Sequence, residues 1–178
     1  MLRILRTFAK ALLGRVEPLE ISLGVFFGLW LGILPMREVD PGTGLLGLNA
    51  LWLLILLCLF AWKASLPFAL LSGGLGVALG RFFLDGAGQS LGRFLIEGPL
   101  PEGLVRFFYR SLPSAQLHTW WGLGALLLGL VISAGAAWLL HRVLVERLPG
   151  WRKRVQDSRL GRFLSRFFLF RFLGWLIR

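Results

Sequence analysis

The sequence predicts an all-α integral membrane protein, and three features support this fold class. Of the 178 residues, 56% are hydrophobic and only 16% are charged, whereas a soluble domain carries about 25% charged residues. The mean hydropathy is +0.72. The apolar residues fall into about four segments of helical length. One globular core of this size cannot bury so much apolar surface, so a bilayer suits the chain better than water.

The formal net charge is +11, from 20 basic and 9 acidic residues. In a soluble protein this excess would indicate nucleic-acid binding. Here the basic residues flank apolar segments, so we expect membrane lipids with anionic headgroups as partners, and no nucleic acid. No small-residue cleavage pattern follows the first apolar run, so no cleaved signal peptide is predicted.

Residues 1–16 form the first predicted element, an amphipathic helix in the membrane interface. Arg3, Arg6 and Lys10 share one helical face, and leucine and phenylalanine side chains fill the other. This pattern is typical of helices that lie along a bilayer surface, although a solvated helix shows it too. We expect the three basic side chains to contact anionic lipid.

Residues 17–148 form the predicted transmembrane domain. Its apolar segments cover residues 21–36, 43–62, 65–80 and 119–140. The second and fourth have the roughly 20 residues that cross a bilayer, while the first and third are shorter and rich in glycine, and either cross or re-enter. The connection 81–118 is mixed in polarity and predicts two short amphipathic helices on the membrane surface, at about 88–96 and 102–112.

Glycines at a spacing of three or four mark the two short segments. They are Gly24, Gly28 and Gly32 in the first and Gly73, Gly76 and Gly80 in the third. Residues at this spacing share one helical face, so each set forms a smooth groove. Such grooves let helices associate inside lipid. We expect them to pack against each other or a neighbouring helix, or to dock another protein's transmembrane helix.

Residues 149–178 form a predicted basic and aromatic tail on the membrane surface, separated from the last span by a break at Pro149-Gly150. Its expected contacts with anionic lipid are Arg152, Lys153, Arg154, Arg159, Arg162 and Arg166. Residues 1–16 carry a net +4 and residues 141–178 a net +8, whereas the connection 81–118 carries only +1. The positive-inside rule then places both termini in the cytoplasm, with four crossings or with two crossings and a re-entrant hairpin.

No catalytic or metal-binding pattern is visible in the sequence. His118 and His141 flank the last apolar segment at opposite ends, so they cannot share a metal ion. Asn49 is the most buried polar residue that the pattern predicts, and we expect it to link helices. Asp85 lies four residues after Arg81 and could pair with it. The sequence therefore predicts no enzyme, no cofactor and no metal site.

The stretch EPLEISLGVFFGLWLGILP resembles the pattern S-P-x-x-I-A-L-G-x-A-x-G-x-x-x-G-x-x-P of a small bacterial inner-membrane family known only as a domain of unknown function. The matching positions are Pro18, Ile21, Leu23, Gly24, Gly28, Gly32 and Pro35. Weaker likeness continues around Asp85 and Gly92, and Glu17 replaces the usual serine. The resemblance implies an inner-membrane protein without established activity, and hints at a subunit role beside large envelope proteins.

These features lead to two functional expectations. The first is a non-enzymatic, multi-pass protein of the bacterial inner membrane that anchors or assists a cell-envelope complex in lipid transport between membranes. Its partner would be another envelope membrane protein or a second copy of this chain. The alternative is a small, oligomeric transporter or channel with its site between the two glycine-rich segments, because paired short segments of this kind line transporter sites.

Overall fold

A computed structural model of the chain describes residues 17–36 and 47–157. The helix predicted for residues 1–16, with Arg3, Arg6 and Lys10, lies outside the described residues. The same is true of the tail from residue 158 onward, with Arg159, Arg162 and Arg166. Contacts divide the chain into two compact units, and all helix contacts given below belong to the unit Leu19–Leu140.

The described residues are helical and contain no β-strand. Their α-helices are α1 (Pro18–Ile33), α2 (Ala50–Ala61), α3 (Leu66–Leu79), α4 (Asp85–Glu97), α5 (Glu102–Ser111) and α6 (Trp120–Asp157). A π-helical turn, Gly80–Leu84, joins α3 to α4, and a 3-10 turn, Pro113–Ala115, precedes α6. The prediction of an all-α fold is confirmed over this part of the chain.

Among the residues that the structure describes, two helices are long and apolar enough to cross a membrane. They are Leu66–Glu97, with 32 residues, and Trp120–Arg147, with 28 residues. The predictions of a long fourth segment and a short first segment are therefore confirmed. The predicted length of the second segment was wrong, because α2 has only 12 residues. The third segment begins as predicted but continues beyond residue 80, in an apolar helix of 32 residues.

The late start of α2 follows from Asn49. Its side-chain oxygen accepts hydrogen bonds from the backbone N–H groups of Leu51 at 2.9 Å and Trp52 at 3.4 Å. Its own N–H donates to the carbonyl of Met36 at 3.0 Å. Asn49 is fully buried, as predicted, but it caps its own helix instead of linking two helices. A capped end explains why the apolar run is not one helix of 20 residues.

The third segment continues past Gly80, where the sequence predicted its end. Gly80 keeps right-handed helical geometry, and the wide π-helical turn leads directly into α4. Residues 81–97 are therefore part of the long helix and not of a separate connection. The possible pair of Arg81 and Asp85 does not form, and Asp85 accepts a hydrogen bond from Gln89 instead, at 3.3 Å.

The helices alternate in direction. The carbonyl of Glu20 accepts a hydrogen bond from Ser65 at 2.9 Å, which places the start of α1 beside the start of α3. The Trp52 indole donates to the carbonyl of Leu31 at 3.0 Å, so α2 runs back along α1. The Trp30 indole donates to the carbonyl of Leu126 at 3.2 Å, which joins α6 to the end of α1.

The side chains are arranged with a small interior and a large apolar exterior. The core consists of Phe27, Ile33, Leu34, Ile55, Leu59, Ala69 and Ala125. Large apolar side chains point outward from α2, the α3–α4 helix and α6. They include Leu54, Leu57, Phe60, Leu70, Leu75, Phe82, Phe83, Val131, Trp138 and Leu139. We call this exposed set the apolar belt, and a soluble monomer rarely exposes a surface of this kind.

The predicted break at Pro149-Gly150 is wrong, because both residues lie within α6, which ends at Asp157. A proline removes one backbone donor from a helix, and here the helix continues on both sides of it. Arg152, Lys153 and Arg154 consequently occupy helical positions.

We expect Asn49→Ala to lower the free energy of unfolding by about 1 kcal/mol, because the cap of α2 is lost. Asn49→Ser keeps a side-chain oxygen at the cap and should cost less. Urea unfolding in detergent micelles, followed by circular dichroism, measures both. Equal losses for the two variants would mean that the cap does not stabilise α2.

Candidate functional site: two glycine seams between the helices

The first glycine seam joins α1 to α3. A Cβ atom built on Gly24 would lie 2.6 Å from the carbonyl oxygen of Ser65, and one on Gly28 would lie 2.7 Å from the Cα of Ala69. One on Gly32 would lie 2.8 Å from the Cα of Gly76. Real Cβ atoms do not approach other atoms this closely, so the two backbones touch without a side chain between them.

The glycines of α3 complete the same seam. A Cβ on Gly76 would lie 2.6 Å from the carbonyl oxygen of Leu29, which makes Gly76 the tightest position on this side. Gly73 and Gly80 are looser, since their Cβ atoms would lie 3.4 Å from Gly28 and Ile33. The structure thus brings all six glycines singled out in the sequence to one interface.

A serine closes the middle of the first seam. Ser72 is buried, and its hydroxyl donates to the carbonyl of Phe68 at 2.7 Å. The same oxygen lies 3.4 Å from the carbonyl oxygen of Gly24 on α1. A hydroxyl that bonds back to its own helix is satisfied without a partner from another helix. The sequence analysis missed Ser72, although its spacing from Gly76 places it on the glycine face.

A second glycine seam joins α4 to α6, and the sequence analysis missed it too. A Cβ on Gly92 would collide with the carbonyl oxygen of Trp120 and would lie 2.9 Å from its Cα. A Cβ on Gly124 would collide with the carbonyl oxygen of Gly88, and one on Gly88 would meet the ring of Trp121. The signal was present as two glycines four residues apart, but in a stretch interpreted as a surface connection.

The order of these contacts shows that α4 and α6 are antiparallel, since Gly92 meets Trp120 while Gly88 meets Gly124. Farther along α6, a Cβ on Gly129 would lie 2.8 Å from the Trp30 ring. The indole groups of Trp30 and Trp52 both donate to backbone carbonyls of neighbouring helices. Glycine contacts and indole hydrogen bonds therefore hold the helices together.

Among the ionisable groups of the described residues, Arg93 lies beside the second seam, with its guanidinium carbon 5.3 Å from the centroid of the Trp120 ring. No group of three or more histidine, cysteine, aspartate or glutamate residues could hold a metal ion within residues 17–36 and 47–157. The ring of His118 packs edge-on against Tyr109, with centroids 5.2 Å apart. Cys58 is half-buried against the core. The seams themselves offer backbone and small side chains, which suit close helix packing.

No family model, curated protein or solved structure matches this chain. The resemblance to the inner-membrane family of unknown function stays a prediction.

We expect Gly28→Ala to destabilise the fold by about 1 to 3 kcal/mol, because the added methyl group collides with Ala69 and Ser72. Gly74→Ala is the matched control, since nothing lies within 4 Å of a Cβ at that position on α3. It should change stability by less than about 1 kcal/mol. Thermal unfolding in detergent distinguishes the two variants, and equal melting temperatures would contradict a tight seam.

Proposed function

We propose that this protein is a multi-pass protein of the bacterial inner membrane without enzymatic activity. It would act as an anchor or accessory subunit of a cell-envelope complex, in lipid transport between membranes. The observation that carries the proposal is the combination of the apolar belt outside with the glycine seams inside. Helices that associate through small residues and expose large apolar ones are suited to lipid.

The burial of the two long helices supports a membrane location. In the most apolar stretch of Leu66–Glu97, only 22% of the residues are buried within the protein. In the corresponding stretch of Trp120–Arg147, 28% are buried. The core helix of a soluble protein would be mostly buried. Phe82 and Val131 illustrate the difference, since 80% and 69% of their surfaces are exposed. A bilayer would cover these side chains.

The relative positions of the helices along the bundle support four crossings, and the placement of both termini in the cytoplasm follows from the charge distribution of the sequence. Gly24 faces Ser65 and Ile33 faces Gly80, so α1 extends along the whole apolar part of α3. If α3 crosses the hydrocarbon layer, α1 and the antiparallel α2 reach the same two surfaces. The turn between α2 and α3, which contains Lys63, would then face the cytoplasm and α5 the periplasm.

The first glycine seam favours the anchor over the alternative transporter. The transporter hypothesis needs a solute site between the two glycine-rich segments. In the structure α1 and α3 touch through their backbones, and even one added methyl group at Gly28 has no room. A partner protein would therefore contact outer surfaces of the bundle and not the glycine grooves.

Purification from the native membrane in mild detergent, followed by mass spectrometry of bound components, tests the proposed role. A subunit should retain another membrane protein at fixed stoichiometry. Recovery of this chain with lipid alone, together with solute flux in liposomes that contain only this chain, would support the transporter instead. Gly28→Leu is unsuitable as a docking variant because it would disrupt the bundle itself.

Single-cysteine labelling tests the topology. In a Cys58→Ala background, Met36→Cys and Gly103→Cys should react with an impermeant maleimide from the periplasmic side. Lys63→Cys should react only after the membrane is permeabilised. Met36, Lys63 and Gly103 are all exposed in the structure. A Met36→Cys variant that fails to react from outside would favour a re-entrant hairpin of α1 and α2.

A further inference from the structure

Helix α5 has no role in the proposed function, yet it has the most amphipathic sequence of the described helices. Leu104, Phe107 and the adjoining Leu112 lie on its apolar side, and Glu102 and Arg106 lie on its polar side. No residue of α5 is buried. The exposed fractions of Phe107 and Leu112 are 52% and 44%, so the described chain leaves much of this apolar face uncovered.

The position of α5 along the bundle follows from the residues after it. The 3-10 turn Pro113–Ala115 packs against α2. Five residues later, Trp120 contacts Gly92, which lies about 18 Å along the helix from Gly80. Five residues span at most about 17 Å, so the 3-10 turn cannot lie much farther from Gly92 than the level of Gly80. It therefore contacts α2 near the beginning of that helix and not near its end.

The beginning of α2 lies level with the π-helical turn. The N–H of Asn49 bonds to Met36 just after α1, and Gly80 lies beside Ile33 at the end of α1. The chain that leaves α5 therefore returns to the level of Gly80–Leu84. The C-terminal end of α5 lies close to this level.

The exposed surface of the long helix changes from apolar to polar at this same level. Phe82 and Phe83, with 80% and 76% of their surfaces exposed, end the continuous apolar part, and beyond them Phe94 is the one large apolar side chain of this helix that is exposed, at 67%. Asp85, Gln89 and Ser90 follow and are exposed as well. On a helix that crosses a bilayer, such a change marks the transition from hydrocarbon to headgroups.

Two arginines at this end are available to anions. Arg93 pairs with Glu97 at 2.9 Å and Arg106 with Glu102 at 3.2 Å. Arg81 and Arg110 are exposed and have no carboxylate partner among the described residues. A guanidinium group in the headgroup region binds phosphate through paired hydrogen bonds.

We propose that α5 is an in-plane interfacial helix that binds anionic lipid. It places Leu104 and Phe107 at the edge of the hydrocarbon layer, while Arg81 and Arg110 bind headgroup phosphates. Amphipathic helices with this division of faces lie in the bilayer interface. The inference rests on the proposed membrane location and adds a specific lipid contact to it.

Spin labels on single cysteines test the depth of α5 in a Cys58→Ala background. The positions are Phe107 on the apolar face, Arg106 on the polar face and Leu75 in the apolar belt. The protein is reconstituted in vesicles of phosphatidylcholine with phosphatidylglycerol. Collisions with oxygen report burial in lipid, and collisions with a soluble nickel chelate report contact with water.

The oxygen-to-nickel collision ratio should be several-fold higher for Phe107→Cys than for Arg106→Cys, and highest for Leu75→Cys. Water contact at both α5 positions, with Leu75→Cys deep in lipid, would overturn the interfacial helix but leave the membrane location intact. Protection of Phe107→Cys from both reagents would also overturn it, because protein would then cover the face. Water contact at Leu75→Cys would refute the membrane location itself.

The lipid charge is tested separately. Replacing phosphatidylglycerol by phosphatidylcholine should lower the collision ratio at Phe107→Cys, and Arg110→Gln should remove this dependence on lipid charge. Arg93→Gln is the matched control, because Arg93 already pairs with Glu97 and lies over the Trp120 ring, 5.3 Å from its centroid. An unchanged ratio in the two lipid mixtures would contradict binding of anionic headgroups.

Discussion

Gly28 lies directly against the backbone of Ala69 and the hydroxyl of Ser72, and the arrangement of the other elements depends on this close contact. It sets the level of α1 against α3, so that Gly24 meets the turn after α2 and Ile33 meets Gly80. The indole groups of Trp30 and Trp52 can then reach carbonyls of α6 and α1, respectively. In lipid, such close approach supplies the packing energy that the hydrophobic effect supplies in water.

The π-helical turn lies between the two glycine seams. The first seam ends at Gly80 and the second begins at Gly88, eight residues later. In a regular α-helix, eight residues rotate the direction of a side chain by about 80° beyond two full turns. A π-bulge absorbs about one residue, which reduces this offset to about 20°. The glycines of both seams therefore lie nearly on one side of the helix Leu66–Glu97. Helix α1 packs along the first half of that side and α6 along the second half.

The parts of the fold that the sequence predicted have a simple periodic signal. Gly24, Gly28 and Gly32 interrupt a continuous apolar run every four residues, so their shared face is visible without coordinates. The start of α2 was missed because one side chain, Asn49, can act as a cap or as a link between helices. The continuation past Gly80 was missed because a π-helical turn has no characteristic residue types. Gly88 was missed because exposed polar neighbours hide the packed face of α4.

The wide turn also keeps the two halves of the long helix in phase. If Gly80–Leu84 took regular α-helical geometry without a change in length, Gly88 and Gly92 would turn by about 100° away from α6. Bulkier neighbours would then face Trp120 and Gly124, and the second seam would be lost. Loss of one residue from this turn, with return to a regular α-helix, would instead keep the offset of about 20° and leave both glycines facing α6. Length and backbone geometry in this segment are therefore coupled, and one can change only together with the other.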